Sequence, residues 1–151
     1  MQLFQGKPDE AFLKEGWATD AVFEDPITLT KGYDQFAPQW YGLAKIFSTS
    51  ETLAYKVTKF EPNLGKLAVL PAVGLLASAD LAATTTATAV EFELRQKYVV
   101  KATGIPKTME SLVHIELDQT GRVVRFEDRW DAKPIESGAA GTAARKLNAK
   151  R

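Results

Sequence analysis

The spacing of apolar and polar residues changes period along this chain, and each change marks an element. Phe36, Trp40, Leu43, Ala44 and Phe47 recur at helical spacing over three turns, which predicts an amphipathic helix covering a sheet or another helix. From Glu51 the period falls to two: Leu53, Tyr55 and Val57 alternate with Thr52, Ala54, Lys56 and Thr58, as in a half-buried strand. A longer strand places Phe92, Leu94, Gln96, Tyr98 and Val100 on one face and Glu91, Glu93, Arg95, Lys97 and Lys101 on the other, so one side is wet. Thr108 to Leu117 and Arg122 to Asp131 then form a hairpin through Asp118-Gln119-Thr120-Gly121. Upstream, Pro8, Asp9 and Glu10 start a helix expected to run to about Ala18, with Phe12, Leu13 and Trp17 on its apolar face. A short strand from Ala21 to Asp25 follows, and Lys31-Gly32-Tyr33-Asp34 reads as a turn and cap before the second helix, with Pro38 tolerated in its first turn. Helices first and a mainly antiparallel sheet after them predict an α+β fold, the helices packed on one face of a curved sheet.

Two regions depart from this pattern. The Ala-rich stretch of about residues 63–87 is too long and too apolar for an ordinary loop. Lys66, Pro71, Gly74 and Asp80 interrupt it, so it does not make a membrane span. A short helix over the open end of the domain and an insertion packed on a partner chain are equal readings of it. Residues 136–151 form an Ala-rich, basic, helix-prone tail whose large apolar residue is Leu147, and a mobile end is the plain expectation. The domain proper is expected to span residues 1–135.

Composition narrows the chemistry. The 151 residues are 45% hydrophobic and 25% charged, which suits one domain with a sizeable core. Lys plus Arg and Asp plus Glu number 19 each, so no net field favours nucleic acid. The absence of cysteine excludes disulfides and thiolate catalysis, and a single histidine excludes a multi-His metal site. No cofactor or metal is implied. The start of the chain lacks the basic and apolar stretches of a secretory signal, so a soluble cytoplasmic protein is expected.

Asp25 is the first candidate for chemistry. Pro26 biases it to extended geometry and stops any helix, holding a carboxylate at the end of an apolar strand. Asp-Pro also simply starts turns, and residue types alone favour that plainer role. Asp128 is the second candidate, because it shares strand parity with Val124, Phe126 and Trp130, while Arg125, Glu127, Arg129 and Asp131 take the other side. A carboxylate on an apolar face must be paired, hydrogen-bonded or protonated. A salt bridge to Arg95 or Arg129, or a bond from a Trp N–H, is the structural alternative to a tuned acid. Phe23, Phe36, Trp40, Tyr55, Phe92, Tyr98 and Trp130 are candidate walls of a ligand cavity, although such aromatic rows are most often core; Tyr55 and Tyr98 would present hydroxyls.

The stretch Trp17-Ala-Thr-Asp-Ala-Val-Phe-Glu-Asp-Pro26, the helix after Gly32, and Val113-His-Ile-Glu-Leu-Asp-Gln-Thr-Gly-Arg-Val-Val-Arg-Phe-Glu-Asp-Arg-Trp130 together resemble the nuclear transport factor 2-like superfamily, and within it the SnoaL-like branch of uncharacterised fungal proteins. The resemblance spans about residues 6–60 and 88–132. It implies a cone of bent antiparallel sheet around helices, an apolar cavity at the wide end, and dimers formed through the sheet. Members include isomerases, dehydratases, cyclases and non-catalytic adaptors, so the fold leaves the activity open.

In ketosteroid isomerase the general base is the Asp of a Glu-Asp-Pro matching Glu24-Asp25-Pro26, which puts Asp25 at the base position. That enzyme adds an oxyanion hole of a tyrosine and a protonated Asp. Here Val113 stands at the acid's place, and the tyrosine would come from a first helix this chain has largely lost, so a literal steroid isomerase is not expected. A chain shortened at its start, with part of its site missing, is a further expectation. If Val113 faces the cavity, so do Met109, Ser111, Ile115 and Leu117, and His114 points to the outer or dimer face with Glu110, Leu112 and Glu116. Together these readings imply a small apolar ligand, with Asp25 as base and Asp128 as acid in isomerisation, dehydration or cyclisation. A non-catalytic binding or dimeric interaction module is the alternative.

Overall fold

A computed structural model describes residues 3–62, 87–133, 135 and 139–149. The Ala-rich insertion therefore lies outside the described residues. A 3-10 turn at Leu3–Gln5 leads into α1 (Glu10–Glu15), β1 (Trp17–Glu24), β2 (Leu29–Lys31), α2 (Tyr33–Ile46), β3 (Phe47–Pro62), β4 (Ala87–Val100), β5 (Pro106–Leu117), β6 (Val123–Trp130) and α3 (Ala139–Ala149). The six strands make one curved, open sheet in the order β2-β1-β6-β5-β4-β3. Four of its pairings are antiparallel, whereas β1 and β6 run parallel. The sheet is thus mixed. Bulges in β3, at Leu53 and Thr58 opposite β4, bend that strand.

The first helix is shorter than its apolar spacing suggests. Asp9 caps it by accepting a hydrogen bond from the Phe12 N–H at 3.1 Å, and Gly16 closes it. Trp17 and Ala18 therefore belong to β1. Trp17 pairs with Val123 of β6, and its ring stacks on Phe36 at 4.6 Å and on Phe126 at 5.4 Å, contacts that a helical Trp17 would forfeit. Leu13 is buried as expected, but Phe12 is largely exposed.

The second helix follows its periodicity. Gly32, at φ 86°, sits at its start in a conformation that side chains rarely adopt. Phe36, Ala37 and Trp40 are buried, with Leu43 packed beside them, while Phe47 begins β3. Pro38 lies in the second turn rather than the first, so the Asp34 carbonyl lacks its helical donor; Asp34 is exposed and can bond water instead.

The core fills the concave side of the sheet. Phe126 is its centre: its ring lies 6.0 Å from Phe4, 5.4 Å from Trp17, 5.8 Å from Phe23 and 5.4 Å from Trp40. Leu94 and Val113 are buried on the same face, and the β4 alternation read from sequence holds, with Leu94, Gln96 and Tyr98 buried. The hairpin between β5 and β6 turns at Gly121, φ 85°.

Within the C-terminal segment, Ala139–Ala149 form α3. α3 packs against β2 and touches α2. It inserts Arg145, only 5% exposed, to within 3.0 Å of Glu24, and Asn148 donates to the Ile27 carbonyl at 3.2 Å. These polar contacts tie α3 to the end of β1 and to the turn after it.

Candidate functional site

β1 ends at Glu24, and the next four residues make a tight turn. The N–H groups of Ile27 and Thr28 both donate to Asp25 Oδ1, at 2.8 and 2.6 Å, and the Asp25 N–H donates to the Thr28 carbonyl at 2.9 Å. Asp25 therefore does fasten a turn, the plainer of its two sequence readings. Burial pushes its carboxyl up, while these N–H bonds, the Thr28 hydroxyl and the Arg145 charge pull it down.

The parallel pairing of β1 with β6 decides what stands beside it. Phe23 faces Phe126 and Glu24 faces Glu127. One residue further on, Asp25 leaves the strand into its turn while Asp128 continues β6, and the Asp25 charge is felt at Asp128. Asp128 pairs with Val113 of β5, is nine-tenths buried, and accepts a hydrogen bond from Trp130 Nε1 at 3.3 Å on Oδ2. Its Oδ1 is buried with no hydrogen-bond partner among the described residues. Burial is the main reason its pKa rises to about 6; the Asp25 charge raises it further, and the Ser111 hydroxyl and Trp130 oppose the rise. Of the structural alternatives for Asp128, the Trp N–H bond is the one found, since Arg129 instead grips Glu127 at 2.6 Å. Tyr98 belongs to the same neighbourhood: its hydroxyl is pushed up by burial and then by the Asp128 charge.

The outer side of the same two strands carries a charge ladder. Glu24 bonds Arg125 at 2.6 Å and Arg145 at 3.0 Å, and Glu127 joins Arg125 to Arg129. Both of these carboxylates have cationic partners. Among the described residues the two inner carboxylates have no cationic partner of that closeness, and burial is the main cause that raises each. His114 also takes the outer face, between Glu91 at 3.4 Å and Glu116 at 3.6 Å. Val113, on the inner face, is fully buried.

An apolar chamber of about 420 Å³ opens on the concave side, away from the carboxylates, lined by Leu3, Phe4, Phe12, Trp17, Phe92, Ile115, Val123 and Phe126. Neither Asp25 nor Asp128 lines it. Of the aromatic candidates, Phe92 is in its wall. Phe23, Phe36 and Trp40 are core side chains, and Trp130 bonds Asp128. Tyr55 is mostly exposed and borders a separate open pocket of about 500 Å³ with Lys56, Glu93, Arg95 and Glu110. Sequence reasoning missed Trp17 as a chamber wall, because its helical spacing with Leu13 hid it. It also missed Arg145, which no local pattern marks. Ser111 was implicit in the strand parity of Val113.

Among the described residues, no group of three His, Asp or Glu side chains is placed to hold a metal ion, and no helix is long and apolar enough to cross a membrane.

The fold is similar to that of solved nuclear transport factor 2-like proteins. An NTF2-like protein of unknown function from an Exiguobacterium species superposes with a TM-score of 0.57 over 87% of this chain and 94% of its own, at 12% identity. A protein of the SnoaL-like family from Agrobacterium tumefaciens gives 0.52 over 86% and 89%, at 13% identity. A de novo designed protein with a curved β-sheet gives 0.50 over 95% and 88%, also at 13%. At such identities the likeness is one of fold. No family model matches the chain, and no curated protein matches its sequence.

Proposed function

We propose that this domain is a SnoaL-like protein, of the fungal branch its sequence resembles, that binds a small apolar molecule on its concave face and moves a proton on it without a cofactor. Isomerisation, cyclisation and dehydration all need a carboxylate to take a proton at one atom and an acid to return it at another. The observation that carries this reading is the pair Asp25 and Asp128, each one residue past the paired Glu24 and Glu127 and near enough that the Asp25 charge helps raise the Asp128 carboxyl to about 6. Asp25, held by two backbone N–H groups that favour its ionised form, is the base. Asp128, whose buried carboxyl is raised to about 6, is the acid. Tyr98, Trp130 and Val113 flank the reacting end. Phe92 walls the chamber that would seat the apolar body, and the reacting end must extend past the chamber wall to reach the two carboxylates. We read the working form as a cytoplasmic homodimer joined through the sheet.

Screening enone and polyketide-like compounds against the protein and its Asp25→Asn and Asp128→Asn variants tests this. Loss of turnover by roughly 100-fold in each variant, with ligand binding kept, is expected. Turnover that both variants retain would refute the catalytic assignment. The non-catalytic binding reading has its own support, since the 420 Å³ chamber is walled by apolar side chains and excludes both carboxylates. It predicts tight binding of apolar ligands with no chemistry on any of them.

A further inference from the structure

β3 is a sheet edge, with β4 on one side and, among the described residues, no strand on the other. Most of its length is exposed on both faces. Tyr55, Val57 and Phe60 pair with Leu94, Phe92 and Val90 of β4, so they extend the apolar concave face outward, yet they are 64%, 53% and 54% exposed. A long edge strand with an uncovered apolar row is a template for a further strand.

Resting on the dimer reading above, we propose that two copies join edge to edge, β3 against β3 in antiparallel register with Tyr55 on the two-fold axis. A two-fold contact is self-complementary, so each residue of β3 must suit the residue that the axis brings to it. With Tyr55 on the axis, Lys56 faces Ala54 of the partner subunit and Val57 faces the partner's Thr52. The bulged residues Leu53 and Thr58 fall one on each strand between the axis and the next positions, so their offsets cancel. Lys59 then faces the partner's Glu51, twice in the dimer. Both project on the outer face, since their β4 neighbours, Glu91 and Lys97, share it. Among the described residues Glu51 has no ion pair of its own, whereas Lys59 already touches Glu61 at 2.6 Å and would add a second carboxylate. Shifting the axis to Lys56 would set Lys56 against itself and Glu51 against the partner's Glu61. Like charges directly opposite disfavour that register. The charge pattern thus favours the Tyr55 axis over the Lys56 axis, and the apolar row is what that pairing covers.

Sedimentation equilibrium of the full chain tests this. The wild type is expected to be a dimer; Glu51→Lys and Lys59→Glu should each weaken it roughly tenfold, as two cross-strand pairs turn repulsive. The double variant should return close to the wild-type constant, and Tyr55→Lys, which sets two cations face to face on the axis, should give monomer. A wild type that stays monomeric would overturn both this pairing and the dimer reading. A dimer indifferent to these variants, or one the charge swap does not restore, would overturn the β3 pairing and leave a dimer formed through another part of the sheet.

Discussion

Asp25 stands beside Asp128 because Glu24 and Glu127, the residues just before them, are paired across a parallel strand boundary. The like charge is one of the causes that raise Asp128 to about 6. Replacing Asp25 by Asn keeps an oxygen to accept the Ile27 and Thr28 N–H groups while removing the charge. A carboxyl ¹³C titration should therefore find Asp128 near 6 in the wild type and lower in Asp25→Asn. An Asp128 value unmoved by the substitution would separate the two groups.

The same shift makes a stability prediction with a definite sign. Asp128 binds its proton more tightly folded, at about 6, than its ordinary 3.8, so its favourable contribution is present below 3.8 and is lost as pH rises through 6. At neutral pH the buried charge is a cost, on the order of 3 kcal/mol. Asp128→Asn should stabilise the fold by about 1–3 kcal/mol at pH 7.5, with the gain shrinking toward pH 4, as read from urea unfolding at both pH values.

Arg145 tests whether α3 is part of the domain. It is almost wholly buried against Glu24, which keeps Arg125 when Arg145 is removed. Arg145→Ala should cost about 2–3 kcal/mol, less than stripping a buried carboxylate of every partner. It should also raise the Asp25 carboxyl, since Arg145 is one of the groups holding it down. A loss below half a kcal/mol would mean that the helix is dispensable.

Phe126→Ala removes the ring on which Phe4, Trp17, Phe23 and Trp40 converge. Its cost should be about 3–5 kcal/mol in denaturant unfolding.

The chamber has its own probe. Ile115→Trp places a large ring in the 420 Å³ space and should abolish binding of an apolar fluorescent dye while the melting temperature changes by only a few degrees. Dye binding that persists would place the ligand elsewhere.

Much of the fold is legible in local sequence. The buried row Leu94, Gln96 and Tyr98, the α2 stripe of Phe36 and Trp40, and the Gly121 hairpin each follow from a period of two, a period of 3.6 or a backbone conformation that glycine favours, and neighbours along the chain suffice to set them. The spacing of Trp17 fits a helix as well as a strand, and only the rings of Phe36 and Phe126 break the tie.

The candidate site divides in the same way. The sequence by itself determined that Asp25 ends an apolar strand before a proline and that Asp128 lies on an apolar face, since both facts are properties of a residue and its nearest neighbours. Tertiary structure alone decided that the two meet, that the chamber lies apart from them, and that Arg145 reaches Glu24 from the far end of the chain. Strand direction, cavity shape and long-range ion pairing depend on which elements pack together, and no local pattern encodes that choice.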